Sequence, residues 1–449
     1  MTDSTTTSFT SDPTRRRERR EKFKAIVGVG AGNGIEYFDW TVYAIFAAFF
    51  APQFFHTGSA VSDLLASFGV FAVGFVARPF GGLLFGWLSD RRGRKLSMTL
   101  AVALASVGSL VIGLTPTHQT IGAAAAVVLV VARLVQGVAH GGELPSAQTY
   151  IIEYAPPSRR GLWSSVIYVS NTSGVVAGTL MGALLTTTLS SAQMTNWGWR
   201  LPFLLGGVLG LFVLWMRSRM AETEVFEKSG DPQAEVSMRE QFSTHRRQIL
   251  QVLFFSVGGT VFYYVWAVSA PAYAIAVRGI DPSGALWAGV GANIVLVASL
   301  PVWGAISDRI GRKPVLYIGT IGIAVLLFPL EALVGSTAVS LFLAMSIALC
   351  AIGAILAVMP AMMAELFPTG MRAAGVGVPY SIAVAAFGGT AAYVQTFFAD
   401  RGSPELFQWY TLALLAVSIT ALITIPETGK RDLTATEPTA ATGQPPSST

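Results

Sequence analysis

The sequence is poor in the residue types from which disulfides and metal centres are built. Of its 449 residues, one is a cysteine, Cys350, and four are histidines, His56, His118, His140 and His245. A single cysteine has no partner within the chain, which excludes an intramolecular disulfide framework. The histidines show neither HExxH nor paired spacing. The pattern predicts no metal site and no cofactor.

Charged residues are also scarce. They make up 12% of the chain against 52% hydrophobic residues, whereas soluble domains carry about 25% charged residues. Apolar runs such as 123–131 and 347–360 are continuous rather than alternating, which argues against a β-barrel. The formal charge of +5 comes from short basic clusters between apolar runs, which favours an orientation signal over nucleic-acid binding. The predicted fold class is an all-α membrane protein.

The apolar runs predict twelve transmembrane helices, since a helix needs about 20 apolar residues to cross a bilayer. The predicted spans are 25–50, 63–88, 96–114, 121–152, 161–187, 200–218, 249–277, 284–306, 314–333, 338–364, 373–398 and 406–426.

The spans divide the chain into two six-helix halves. The predicted segments are an N-terminal tail (1–24), a first half (25–218), a linker (219–248), a second half (249–426) and a disordered tail (427–449). With both tails and the linker in the cytoplasm, 25 of the 30 Lys and Arg residues lie on the cytoplasmic side, as the positive-inside rule requires. No short apolar core with a small-residue cleavage site precedes the first span, so no cleaved signal is expected.

The halves repeat three motifs in the same order. Residues 86–95 (GWLSDRRGRK) recur as 304–313 (GAISDRIGRK), Glu153 with Pro156 and Arg160 recurs as Glu365 with Pro368 and Arg372, and Glu222-Thr223 recurs as Glu427-Thr428. This order indicates a parallel duplication of a six-helix unit, as in one large class of transporters.

These motifs resemble those of a known superfamily. The two Gly-x-x-x-Asp-x-x-Gly-Arg-Lys loops and Arg133-x-x-Gln136-Gly137 are similar to the signatures of the major facilitator superfamily. Residues 32–39, 78–82, 136–143 and 197–203 resemble its metabolite:H⁺ symporter family, which includes permeases for organic acids and betaines. The resemblance covers residues 20–430 and implies proton-coupled uptake of a small organic acid by alternating access.

The resemblance also implies residues that latch neighbouring helices and so gate transport. They are Gly86, Asp90, Arg91, Gly93, Arg94, Asp308, Gly311, Arg312, Glu153, Arg160, Glu365 and Arg372. The alternative role of the basic residues in this set is to fix the orientation of the helices in the membrane by their charge alone.

Several charged residues fall inside predicted spans, where each costs at least about 2.5–3.5 kcal/mol on insertion scales. Glu36 and Asp39 lie near mid-depth and share one helix face. Desolvation favours the protonated form of a carboxyl group, which makes Glu143 a third candidate. Glu36, Asp39 and Glu143 are the predicted proton-coupling residues.

The fourth span carries a polar stripe of Arg133, Gln136, His140 and Glu143. Arg133 is the leading candidate for substrate binding, because its guanidinium stays charged and matches a carboxylate. It either holds the substrate carboxylate or neutralises Asp39, and alternation between the two would couple proton to substrate. A permanent buried ion pair is the structural alternative.

The predicted substrate site also includes Arg78, Tyr37, Asn33, Gln136 and His140. Arg78 either contacts substrate or pairs with an acid of the first span. His140 either relays protons, as histidine can near neutral pH, or is a hydrogen-bonded packing residue. The polar side chains either line the path or bridge helices.

The predicted protein is a monomer in the lipid bilayer of the cell membrane, working on a small organic acid and protons without a nucleic-acid partner. Symport of a zwitterion such as proline or betaine, sugar transport and efflux are alternatives within the superfamily. A channel or receptor is the alternative from another class. A membrane enzyme would need a nucleophile, metal or phosphate site, and the sequence shows none.

Overall fold

The computed structural model describes residues 13–92, 94–141, 148, 151–152, 155–218, 242–368 and 372–429. The regular elements in these ranges are helical, and twelve of them are long. They are α1 (Pro13–Phe54), α2 (Ala60–Arg92), α3 (Arg94–Leu114), α4 (Ala124–Ala139), α5 (Arg160–Thr188), α6 (Arg200–Ser218), α7 (Arg246–Tyr263, continuing through a π-helical stretch, Tyr264–Ser269, into Ala270–Arg278), α8 (Pro282–Ile310), α9 (Arg312–Leu333), α10 (Ala338–Glu365), α11 (Arg372–Ala383, continuing through Val384–Gly388 into Gly389–Asp400) and α12 (Glu405–Thr424). The predicted all-α, twelve-helix fold is confirmed.

Within the described residues, eight helices are long and apolar enough to cross a bilayer. Two bounds differ from the sequence prediction by more than about one helical turn. Helix α1 begins at Pro13 rather than at residue 25, because proline fits the first helical turn and the basic residues after it are good helix formers. Helix α4 ends at Ala139 rather than at residue 152, and residues 142–147 lie outside the described part of the chain.

Each half is a bundle of six helices. In the first, α1 packs on α5, α2 on α4 and α3 on α6, while in the second, α8 and α9 pack on α10, and α7 packs on α12. The halves meet chiefly where α5 lies along α8 and α2 lies along α11. Large apolar side chains such as Leu83, Val127, Val208, Val302 and Val325 are more than half exposed, as a surface that contacts lipid requires.

Glycines allow backbones to touch inside the first half. A Cβ on Gly137 would overlap the carbonyl oxygen of Gly74, and one on Gly141 would overlap that of Arg78. Small residues at such crossings are what membrane helices need, because packing rather than the hydrophobic effect holds them together. The close crossing of α2 and α4 places Arg78 near the polar face of α4.

We expect Gly137→Val to lower the melting temperature of the detergent-solubilised protein. The Cβ and the two methyl groups of valine would be forced against the α2 backbone, and overpacking of this kind costs about 1–3 kcal/mol or more of stability. Gly322→Val is the matched control, since a Cβ at Gly322 meets nothing within 4 Å. Equal melting temperatures for the two variants would contradict the close crossing.

Candidate functional site

Asp39 lies inside the first half and is held by three helices. Its carboxylate accepts hydrogen bonds from Ser109 Oγ on α3 and from Gln136 Nε2 on α4, the second at 3.1 Å. Gln136 Nε2 also donates to Ser109 Oγ at 2.7 Å. Only 8% of Asp39 is exposed, so these partners replace the water that the carboxylate loses.

A histidine joins Asp39 to the second acid of α1. Nδ1 of His140 is 3.5 Å from Glu36 Oε1, and its Nε2 is 3.7 Å from Asp39 Oδ2. His140 directly follows α4 as its C-cap residue. The fold therefore brings together three residues that the sequence singled out, in an acid–imidazole–acid cluster. Glu143, the third predicted proton carrier, lies outside the described residues.

Arg133 is completely buried beside this cluster. Its Nη1 donates to Gln136 Oε1 at 2.9 Å, so its link to Asp39 runs through the Gln136 amide. Its Cζ lies 4.0 Å from the ring centroid of Trp40 and 4.4 Å from that of Tyr43. Aromatic faces attract cations. The sequence suggested a substrate carboxylate or Asp39 as the partner of Arg133, and neither suggestion included these rings.

Arg78 lies where the two halves meet. Its Cζ is 4.0 Å from the Trp40 centroid and 4.4 Å from the Phe75 centroid, both in the first half. The Tyr264 hydroxyl of α7, in the second half, lies close enough to Arg78 and Tyr37 to interact with both electrostatically. Arg78 is thus a partly buried cation that lies between rings of the first half and a tyrosine of the second half.

Tyrosines surround the same region. Tyr168 of α5 and Tyr380 of α11 join the halves through their hydroxyls, 2.9 Å apart. They line a small cavity together with Tyr263, Thr260 and Met359. Side chains of both halves thus bound one small cavity.

The sequence reasoning missed Tyr168, Tyr380, Ser109 and Trp40 as site residues. A signal for the tyrosines exists: they are 212 positions apart, the same offset that separates Glu153 from Glu365. The internal duplication therefore pointed to them. Ser109 and Trp40 sit among apolar residues and have no such signal.

Asn33 has the bridging role that the sequence left as one of two alternatives. Its Nδ2 donates to Asn171 Oδ1 and, at 2.9 Å, to Ser170 Oγ, both on α5. The backbones of α1 and α5 touch close to these bonds, since a Cβ on Gly174 would overlap the carbonyl oxygen of Gly34. Asn33 therefore fastens α1 to α5.

The repeated loop motif of the second half closes one end of the interface between the halves. Asp308 Oδ1 and Oδ2 accept hydrogen bonds from the backbone N–H groups of Gly161 and Leu162, at 2.8 and 2.9 Å. These groups belong to the first turn of α5, whose unpaired N–H groups and dipole favour an anion. Arg312 Nη1 also bonds Asp308 at 2.8 Å. A carboxylate of one half thus caps a helix of the other.

Further predicted gating residues extend this cluster. Arg312 Nη2 is 3.4 Å from Glu365 Oε1, and Thr428 donates to Glu365 at 2.6 Å. Arg372 and Arg160 are both buried, and Arg372 donates to the carbonyl of Ala364 at 3.0 Å.

Glu427 secures the turn into α9. Gly311 there has φ of 102°, which glycine adopts readily. Burial favours the protonated form of the Glu427 carboxyl, but backbone N–H donors, including those of Arg312, Gly429 and Lys313, outweigh it and hold the pKa of this group below its usual range.

The first-half copy of the motif falls largely outside the described part of the chain: Gly93 and Glu153 lie outside it, as do the surroundings of Gly86 and the side chains of Asp90, Arg91 and Arg94.

The opposite end of the same helix pair is also closed. Thr187 of α5 and Ser283 of α8 approach to 3.0 Å through their hydroxyls, and Trp287 Nε1 donates to Thr187 at 3.3 Å. Along α5, Tyr168 of the tyrosine-lined cavity therefore lies between these two contacts.

Comparison with known proteins gives one family. A model described as Major Facilitator Superfamily matches residues 29–296 and 255–445. The chain is 35% identical to an α-ketoglutarate permease of Escherichia coli (strain K12), over 96% of this chain and 99% of the relative. It is 28% identical to a proline/betaine transporter of the same strain, over 93% and 86%, and 33% identical to a putative proline/betaine transporter of Staphylococcus aureus (strain COL), over 88% and 86%.

Solved structures give the fold. A crystal structure of a D-xylose-proton symporter superposes with a TM-score of 0.72 over 91% of this chain and 99% of that chain, at 19% sequence identity.

We expect Asp308→Asn to open the Asp308 end of the interface. Loss of a charge-assisted hydrogen bond is worth about 1.5–3 kcal/mol, or tenfold or more in the equilibrium between closed and open forms. In a Cys350→Ala, Thr260→Cys background, a membrane-impermeant thiol reagent applied from that side should modify the cavity cysteine correspondingly faster. Asp281→Asn is the control, since Asp281 caps its own helix by accepting from Gly284. Equal rates in both variants would show that Asp308 does not hold the halves together.

Proposed function

Because the chain belongs to the Major Facilitator Superfamily, we propose that it is a secondary active transporter that takes up a small organic acid together with protons. The observation that carries this is the acid–imidazole–acid cluster of Glu36, His140 and Asp39 beside Arg78, a cation of the first half that lies next to Tyr264 of the second half. One group of residues binds protons and the neighbouring group can bind an anion.

Arg78 is the proposed carboxylate ligand. The relatives named for α-ketoglutarate and for proline/betaine act on solutes that share a carboxylate, and a guanidinium presents a planar fork of donors to that group. Arg78 and Arg133 both have buried guanidinium nitrogens without a hydrogen-bond partner among the described residues. Arg133 is completely buried and donates to Gln136, which in turn donates to Asp39, so we assign Arg133 to the proton cluster and Arg78, which is only partly buried, to the substrate.

Tyr37 and the tyrosines of the second half supply the remaining polar contacts in this proposal. Gln136 and Asn33 act indirectly, by holding Asp39 and by fastening α1 to α5.

Protons bind at the cluster formed by Glu36, Asp39 and His140. An isolated carboxylate at this depth is costly, so each acid is stable either beside a cation or with a proton. Proton uptake therefore changes the charge beside the substrate site, and the two binding events favour one another. We place Glu143 in the same proton path on the strength of the sequence alone.

Alternating access requires the closed contacts at the two ends of α5 and α8 to open in turn. The Asp308 contact and the Thr187–Ser283 contact are the proposed gates. Residues 25–218 and 249–426 are the proposed rocking halves, joined by the linker 219–248. We propose a monomer in the cell membrane, with the tails 1–24 and 427–449 in the cytoplasm, and no enzymatic activity.

A zwitterion is the second candidate substrate. The aromatic faces around the site, such as Tyr264 and Phe75 with centroids 5.1 Å apart, are suited to a quaternary ammonium group by cation–π attraction. The same Arg78 would hold the carboxylate.

We expect Arg78→Lys to raise the KM for radiolabelled α-ketoglutarate in reconstituted liposomes by about tenfold or more, since lysine loses the bidentate fork. The same panel of liposomes should be tested with proline and glycine betaine. Arg133→Lys is the matched comparison and should change the dependence on the proton gradient more than the KM. A larger rise in KM for Arg133→Lys than for Arg78→Lys would reverse the assignment of the two arginines.

We expect Asp39→Asn to abolish accumulation of substrate driven by an inward proton gradient while preserving exchange of labelled for unlabelled substrate. Exchange does not require the empty carrier to reorient, whereas accumulation requires the proton to be released. Glu36→Gln is measured in the same way, because Glu36 is the alternative proton-coupling residue. Normal uphill accumulation by Asp39→Asn would place the proton site elsewhere, and failure of the wild-type protein to accumulate any member of the panel would contradict the proposed function.

A further inference from the structure

One buried aromatic ring contacts both the substrate-facing and the proton-facing charges. Trp40 is 1% exposed. The Cζ atoms of Arg78 and Arg133 each lie 4.0 Å from its ring centroid. His140 packs edge-on against it, with centroids 5.4 Å apart and planes at 83°. Trp40 also directly follows Asp39 in the chain.

We propose that Trp40 is a positioning residue that couples carboxylate binding at Arg78 to protonation of the Asp39 cluster, by holding Arg78 and Arg133 against one indole. The proposal rests on the proposed function, since it concerns how that function is coupled. It assigns Trp40 no contact with the proton or with the substrate.

The electrostatic step has a definite direction. The two guanidinium groups are close enough for their charges to act on each other, and the indole quadrupole keeps both nearby despite this repulsion. A substrate carboxylate on Arg78 neutralises one of the two positive charges. The positive potential at Asp39 then falls, and protonation of its carboxylate becomes more favourable. Coupling free energies are reciprocal, so protonation strengthens carboxylate binding by the same factor.

The other groups around the cluster do not replace this link. Apart from the residues already named, α3 presents Ser109 and α6 presents Gly206 to Asp39, and neither is charged. The ionisable groups that face the cluster and Arg78, taken over all the packed helices in the described part, are Glu36 and Asp39 of α1, Arg78 of α2, Arg133 and His140 of α4, and the tyrosines Tyr37, Tyr43, Tyr264 and Tyr380.

The indole is fixed in place by its surroundings. Phe75 packs on it edge-to-face with centroids 4.7 Å apart, and a Cβ on Gly74 would lie only 3.0 Å from the ring. With the ring unable to shift, the positions of both guanidinium groups depend on it. A smaller ring would hold them less closely, and an aliphatic side chain would not attract them.

The test compares Trp40→Leu and Trp40→Phe with the wild-type protein in liposomes, using radiolabelled α-ketoglutarate. Three quantities are measured: exchange, accumulation driven by an inward proton gradient, and the KM for exchange at about pH 6 and about pH 8, on either side of the range in which histidine changes charge. In the wild type, KM should rise with pH, because protonation favours binding.

Trp40→Leu should make KM independent of pH and lower the accumulation ratio by about tenfold, as expected when desolvated cation–π contacts are lost. Exchange should fall less than accumulation. Trp40→Phe keeps an aromatic face and should restore part of the pH dependence, which also keeps the test valid if the leucine variant does not fold.

Trp199→Phe is the matched control. Trp199 is also fully buried in the first half, and the Cζ of Arg200 lies 4.3 Å from its ring. Its ring packs against Phe50, Phe54 and Phe203, away from the acids. This variant should lower exchange and accumulation in equal proportion and keep the pH dependence of KM.

Two results separate the proposals. If the wild type accumulates α-ketoglutarate and the Trp40 variants keep its pH dependence and accumulation ratio, the role of Trp40 is wrong and the proposed function stands. If the wild type fails to accumulate it, the proposed function is contradicted for this substrate class, and the coupling role falls with it.

Discussion

The carboxylate of Asp39 can lie inside the first half only because neighbouring helices supply partners for it. Ser109 comes from α3 and Gln136 from α4, and removal of either would leave the buried carboxylate with one hydrogen bond fewer to replace the water it has lost. Gln136 in turn accepts a hydrogen bond from Arg133, so Arg133 belongs to the same network of polar partners. Burial of one negative charge thus determines how α1, α3 and α4 are placed and which side of each faces inward.

Close backbone approach is the condition for this arrangement. Polar side chains as short as serine and asparagine can reach across helices only where the axes lie near each other, and the glycine contacts between α2 and α4 and between α1 and α5 provide that. In lipid, such packing and hydrogen bonding replace the hydrophobic effect as the source of helix association. Stability and the geometry of the proton cluster therefore depend on the same crossings.

The two ends of the interface are closed by bonds of different kinds. At one end, a carboxylate accepts from two backbone N–H groups and pairs with Arg312. At the other, neutral hydroxyls meet. Charge-assisted hydrogen bonds are roughly twice as strong as neutral ones, so, among the contacts described along α5 and α8, the Asp308 end is held more firmly. A transporter that must open each end in turn needs contacts of limited strength at both, and their difference biases the resting state.

The sequence by itself determined the class and number of elements. Continuous apolar runs of bilayer length have one stable solution, and the repeated loop motifs showed the duplication, because hydropathy and motif spacing are local properties of the chain. It also singled out Glu36, Asp39, Arg78, Arg133 and His140, since charge inside an apolar run is conspicuous without any structure.

Only the tertiary structure decided what these residues touch. Helix periodicity gives the face on which a side chain lies but not which neighbouring helix faces it. The sequence marked Arg133 and Arg78 as charges inside predicted spans, and the fold packs both against Trp40 but buries Arg133 beside Gln136 and leaves Arg78 partly buried between the halves. Trp40 looked like an ordinary apolar residue of α1. Its contact with both arginines arises from the crossing of α1, α2 and α4, which is a property of packing in three dimensions and has no counterpart in the order of residues along the chain.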